Sequence, residues 1–308
     1  MLNILDIAIA FPERQEQLHD LTDDLSLSRD QLRMFDRFFG FDRFHADPAE
    51  PLPALLMQAG DAVLARNPGA AATLSHVAHC HTLLSTGIFG AAECDPLARF
   101  RAAGCETFSA TMNHCATGVS MLGTFARLLE PGQTGMILIG EKAFHPALRH
   151  IENTTLMGEA AVAILVGHQP GPWQVLDTHV THATPFWKNT GLRGERYLEG
   201  FDTAYLPLAC NSIERALSAF GRAPGQIRAV MPHNVNLPSW CQLGARTGFA
   251  REALHLSTIG RYGHCFGADP FINLIHATET GGLRASDEVL LFSIGLGATA
   301  ASALLRVS

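Results

Sequence analysis

The chain has 308 residues, 47% of them hydrophobic and 17% charged, with 28 glycines, 16 prolines and a formal net charge of −7 at pH 7. That composition excludes a disordered or collagen-like chain, and at roughly 100–200 residues per domain the length predicts two domains or two closely packed halves around a large core. An acidic balance without Lys/Arg clusters argues against a nucleic-acid groove or an anionic membrane as partner.

In chain order, Met1 to Ala10 is apolar, contains Asp6 and lacks a basic lead, so it predicts an opening strand rather than a signal peptide and a cytoplasmic protein. The apolar runs, such as Ala160 to Val166, are far shorter than the roughly 18 residues of a membrane-spanning helix and predict buried strands. Thr117 to Leu129 predicts a helix stopped by Glu130-Pro131-Gly132, and Met136 to Gly140 and Ala160 to Val166 predict strands. Gly167-His168-Gln169-Pro170-Gly171-Pro172 is a turn-rich connector just past the midpoint, which divides the chain into halves 1–168 and 169–308. In the second half Leu206 to Phe220 and Phe271 to Thr280 predict helices, and Ala229 to Met231, Val289 to Ile294 and Thr299 to Val307 predict strands. Strands alternating with helices define an α/β class. A weak echo links the halves: a turn, a strand and a small-residue strand recur over 131–167 and 285–305.

Seven cysteines, an odd number with no CxxC pair in a long chain, predict reduced thiols. Fifteen histidines are the more unusual count. Cys115, in Asn113-His114-Cys115-Ala116-Thr117-Gly118, falls where a strand gives way to the 117–129 helix. Unpaired N–H groups and the positive end of a helix stabilise a thiolate there, and small neighbours let a thioester approach; a free Cys is otherwise more often buried and inert. His233 follows a short strand, at the carboxyl end where open α/β sheets place ligands. His264 lies in the glycine-flanked turn Arg261 to Gly267, where a lone histidine is more often solvated or structural. Gly295-Leu296-Gly297 between two strands reads as a tight turn or as a place where the backbone approaches a ligand.

Together these segments resemble the ketoacyl-acyl-carrier-protein synthase III family of the thiolase superfamily. The resemblance runs in order through Cys115 in its motif, Gly158-Glu159-Ala160 to Leu165, His233-Asn234-Val235-Asn236, Arg261-Tyr262-Gly263, and Gly295 to Arg306. It implies a five-layered α-β-α-β-α fold built from two duplicated halves, and a homodimer. It also implies an acyltransferase that needs no cofactor of its own, its substrates being carried on acyl carrier protein phosphopantetheine or coenzyme A. Cys115 would attack an acyl thioester, with the N–H groups of Cys115 and Gly297 as oxyanion hole, His233 and His264 as the further catalytic residues, and Asn236 in substrate binding.

Three departures from the family's pattern shape the expectation. His264 stands where the family usually has Asn, and an imidazole can accept a proton as well as donate one. Decarboxylative condensation with a malonyl thioester, which a pair of histidines supports in related enzymes, is favoured; acyl transfer to an alcohol or amine is the alternative, and a silent partner subunit of another ketosynthase the second. Met34 and Phe38 stand where the family places a Trp and an Arg around the coenzyme A adenine, which points to a carrier-protein donor or a different coenzyme A mode, and to a specialised pathway. Ser75-His76-Val77-Ala78-His79-Cys80-His81 follows a strand; alternation puts His79 and His81 on one face, where they are expected to line the substrate entrance rather than bind metal, since no second ligand cluster completes a site.

Overall fold

The computed structural model describes residues 1–21, 27–82, 95–111, 113–143, 148–151, 154–186 and 200–308. Its main elements are β1 (Asn3–Ala10), α1 (Leu52–Arg66), β2 (Leu74–Cys80), β3 (Glu106–Ala110), α2 (Thr117–Leu128), β4 (Thr134–Glu141), β5 (Ala160–Gly167), β6 (Trp173–His182), α3 (Phe201–Phe220), β7 (Ala229–Pro232), α4 (Leu237–Thr247), α5 (Asp269–Glu279), β8 (Glu288–Gly295) and β9 (Thr299–Val307). Each strand and helix expected from the apolar runs is present. Helix α3 begins at Phe201 rather than Leu206, with Pro207 in its second turn, where a proline removes one bond of the helix ladder. The Ser75–His81 cluster lies largely on strand β2 itself rather than after one.

All nine strands join in one sheet of order β7-β8-β9-β6-β1-β5-β4-β2-β3. Within it a pattern repeats. Strands β2, β4, β5 and β1 pair parallel, antiparallel and antiparallel in turn, and β7, β8, β9 and β6 do the same. Within the sheet the two sets are joined by the β1–β6 pairing, Asn3↔Gln174 and Ile4↔Trp173. The echo in the sequence is thus the β4–β5 and β8–β9 pairs.

Side chains alternate across each strand, so one face of each half looks inward and the other outward. Val162, Ile164 and Val166 of β5 pack with Leu291 of β8, Ala303 of β9, Val119 and Phe125 of α2 and Phe271 and Leu274 of α5 in a central cluster shared by both halves. Ala161, Ala163 and Leu165 turn instead to Leu55, Leu56 and Val63 of α1. Leu290 and Phe292 of β8 turn to Ile213 and Leu217 of α3 and Trp240 and Leu243 of α4. Outer helix, sheet, middle helices, sheet, outer helices: these are the five layers. The buried middle pair, α2 and α5, both begin next to the site. Among the described residues no helix is long and apolar enough to cross a membrane.

Candidate active site

Cys115 sits in a single helical turn, His114–Ala116, that leads into α2. The preceding residue, His114, holds φ +48°, a region that costs a non-glycine residue roughly 1–2 kcal/mol and that surrounding structure must impose. Two contacts do so. Ser293 of β8 donates its hydroxyl to the Cys115 carbonyl at 2.8 Å. At Gly295, where β8 ends, a Cβ would lie 2.2 Å from the Asn113 carbonyl oxygen and 2.8 Å from the His114 Cβ. Only a glycine lets the end of β8 come this close to the elbow that carries the thiol. Gly297, in the β8–β9 turn, has φ +122°. Ala143, Met157 and Phe266 form the apolar wall around Cys115.

The thiol faces an imidazole: Cys115 Sγ lies 3.5 Å from His264 Nε2. The opposite ring nitrogen, Nδ1, is hydrogen-bonded to Asp269 Oδ2 in the first turn of α5. Asp269 is fully buried, and its carboxylate also accepts the Cys265 N–H at 2.7 Å and the Asn234 N–H at 2.6 Å. A buried carboxylate held by backbone donors and an imidazole is a satisfied charge, which is what makes it tolerable there. Cys115, His264 and Asp269 therefore lie in the order that a nucleophile, a base and an orienting acid would need. Sequence reasoning finds the first two and not Asp269. In sequence, Asp269-Pro270 reads as an ordinary helix start, and only the fold shows that the carboxylate looks back toward His264.

Further bonds fix the loop. The His264 N–H donates to the Leu156 carbonyl at 2.8 Å and the Gly158 N–H to the His264 carbonyl at 3.0 Å, so residues of the first half hold the base of the second. Asn273 on α5 donates to the Pro232 carbonyl at 2.7 Å and to Asn234 Oδ1 at 3.0 Å, tying the end of β7 to the same helix.

His233 is also in the site. Its ring centroid lies 6.1 Å from that of His264. Its backbone N–H donates to the Phe292 carbonyl at 3.1 Å and its carbonyl accepts from the Trp240 indole at 2.8 Å. Its Nε2 lies 2.8 Å from the hydroxyl of Tyr205 on α3, a partner no sequence motif announces. The two imidazoles are driven apart electrostatically. Burial, with repulsion from His264, pushes His233 down to about 3. Burial also disfavours the charged form of His264, but the Asp269 carboxylate and the Cys115 thiolate outweigh it and raise His264 well above an ordinary histidine. Their environments push the two groups apart, His264 toward its protonated form and His233 toward its neutral one.

Other expected site residues fall elsewhere. Asn236 caps α4, its Oδ1 accepting the Ser239 N–H at 2.8 Å while its Nδ2 donates to the Thr154 carbonyl at 2.9 Å, and it is buried. The Asn-Leu-Pro sequence there is a helix-start signal. His79 and His81 do share a face, their rings stacked 4.8 Å apart. His79 is buried and, by burial and the nearness of His81, lies down at about 3. His81 lines a small cleft with His114, Thr117, Glu141 and Phe266, beside the Cys115 elbow. Met34 packs inward and Phe38 is 62% exposed, so these two positions form no aromatic–cation clamp.

These neutral, buried histidines make stability pH-dependent. A folded-state value below the unfolded one contributes stability that is complete above about 6.5 and is lost as pH falls toward 3, at ~1.4 kcal/mol per pH unit for each of His79 and His233. Thermal unfolding followed between pH 7 and 4 is expected to show a steadily falling midpoint, with a shallower fall in His79→Gln. An equal slope in that variant would refute the assignment.

Solved structures share this architecture over nearly the whole chain. The β-ketoacyl-acyl-carrier-protein synthase III of Thermus thermophilus superimposes with a TM-score of 0.81 at 21% identity, covering 99% of both chains. ChlB3, described as an acyltransferase, does so with a TM-score of 0.85 at 16% identity, covering 99% of this chain and 97% of its own. The protein has the thiolase-type fold of these enzymes. Residues 217–307 match the family 3-oxoacyl-[acyl-carrier-protein] synthase III C terminal. The β-ketoacyl-[acyl-carrier-protein] synthase III of Roseiflexus sp. (strain RS-1) is 34% identical over 113 residues, 36% of this chain and 34% of that one. The chain thus matches about a third of the length of its curated relatives. Its C-terminal part resembles the 3-oxoacyl-[acyl-carrier-protein] synthase III family over residues 217–307, and the chain as a whole shares the fold of the solved enzymes.

Proposed function

We propose that the protein moves an acyl group from a thioester donor onto Cys115 and from there onto the hydroxyl or amine of an acceptor. The observation that carries this reading is the Asp269–His264–Cys115 line, in which a carboxylate holds Nδ1 and leaves Nε2 facing sulfur. The Cys115 proton resides on His264, and the thiolate adds to the donor carbonyl. The tetrahedral intermediate collapses, the donor C–S bond breaks, and the leaving thiolate takes the proton back from the imidazolium. In the second half the acceptor's O–H or N–H gives its proton to His264 while its lone pair attacks the acyl-Cys115 carbonyl; the C–S bond breaks and His264 reprotonates sulfur. Asp269 orients the ring and stabilises the imidazolium throughout. The N–H groups of Cys115 and Gly297 are the candidate oxyanion donors.

Carbon–carbon condensation with a malonyl thioester is the second reading, and the presence of His233 beside His264 is what favours it. A silent partner subunit has no use for the complete Cys115, His264 and Asp269 line. We place the donor on a carrier-protein phosphopantetheine or coenzyme A, in a specialised pathway. The homodimer rests on β3, whose outer edge is unpaired among the described residues and available to a second copy.

Intact-protein mass spectrometry with matched coenzyme A and carrier-protein thioesters is expected to show an acyl adduct, absent in Cys115→Ala, that disappears when hydroxyl or amine acceptors are added. No adduct from any donor would refute acyl transfer; an adduct discharged only with release of CO2 from a malonyl thioester would replace the first reading by the second.

A further inference from the structure

Tyr205 is a polar side chain from α3 bonded into the site, and neither reading gives it a role. It reaches His233 from an outer-layer helix, 28 positions away in sequence, and meets Nε2 at 2.8 Å. The ring of His233 lies 6.1 Å from that of His264, the imidazole that faces the Cys115 thiol. After burial, the charge of Cys115 is the next cause that disfavours ionisation of the Tyr205 phenol, which places the hydroxyl in the field of the thiolate. The other nitrogen of His233, Nδ1, is buried and has no hydrogen-bond partner among the described residues. Among the described residues, the hydrogen bond with Tyr205 is therefore the one that the imidazole nitrogens make.

That contact decides what His233 can do. Decarboxylative condensation breaks the C–C bond between the malonyl α-carbon and its carboxylate. CO2 leaves, and the electron pair passes to the thioester oxygen as an enolate, which must find N–H or O–H donors before the carbon attacks acyl-Cys115 and expels the thiolate. A ring nitrogen already engaged by a phenol in a low-dielectric pocket must give up that bond to serve as such a donor.

We propose that Tyr205 is a positioning residue that sets reaction specificity: by engaging Nε2 it withholds His233 from the enolate oxygen and commits acyl-Cys115 to transfer onto a hydroxyl or amine. The inference rests on the acyl-transfer reading above. It concerns which acceptor wins, not whether Cys115 is acylated.

The test is Tyr205→Phe, which keeps the ring and its packing and removes only the hydroxyl. Acylation of Cys115, read by mass, is expected to change little, while CO2 release from a malonyl thioester by the acylated enzyme rises about tenfold or more as a donor is freed. His233→Ala added to Tyr205→Phe should abolish that gain, which a merely structural role for the phenol would not predict. Unchanged or lower CO2 release in Tyr205→Phe would overturn the proposal, as would loss of Cys115 acylation itself, since Tyr205 would then serve the nucleophile. A parent enzyme whose acyl-Cys115 discharges onto no hydroxyl or amine refutes the transfer reading separately, and the comparison of CO2 release still reads whether Tyr205 restrains His233.

Discussion

Asp269→Asn is expected to slow acyl transfer by about 10³-fold, close to the cost of disabling the orienting carboxylate in a nucleophile–base–acid line. The carboxylate accepts from His264, Cys265 and Asn234 at once. An amide has one accepting oxygen, and its NH2 must point at one of these donors or at Nδ1. If it meets Nδ1, the ring is driven into the tautomer with hydrogen on Nε2, which cannot take the Cys115 proton. The charge that holds His264 protonated is also lost, so burial prevails and the pH range in which the imidazolium persists contracts from its alkaline side. Rates of Cys115 acylation as a function of pH, with circular dichroism to verify folding, check this. A loss smaller than tenfold would mean that Asp269 only supports the loop.

Gly295→Ala is the second large effect. The new Cβ would fall 2.2 Å from the Asn113 carbonyl oxygen, a distance no real Cβ contact shows, and the obstacle is backbone that cannot swing aside. Either β8 retreats or the elbow before α2 moves, and in both cases the Cys115–His264 spacing of 3.5 Å changes. A displacement near 1 Å costs about a hundredfold in a positioned reaction. We expect acylation to fall by that order while far-ultraviolet circular dichroism stays near that of the parent; full activity in the variant would show that the elbow is freer than the packing implies.

Residue patterns carried much of this architecture. Buried strands such as Ala160–Gly167 are short apolar runs bounded by turns, and the connector from Gly167 to Pro172 sits between two of them, so local chemistry alone marks their ends. Cys115, His233 and His264 were legible because each lies at an element end or in a glycine-flanked turn, where the chain has few other reasons to place that residue type. Asp269 and Tyr205 were not. One sits at a helix start where acids are common, and the other on a helix whose inward-facing side chains are read as core. Their roles depend on which distant segments come beside them. At Asn236 the motif position and a helix-capping hydrogen bond fall on the same side chain, and the cap is the part that local sequence marks.

The nucleophile and its base are 149 positions apart, and the elbow of one half is fastened to a strand of the other by Ser293 and by the fit at Gly295. Contacts between such distant segments close late in folding, because the loop entropy must be met before they form. The thiol consequently acquires its base only when the two halves have docked. Chemical competence therefore belongs to the two halves brought together, not to the helix that bears Cys115.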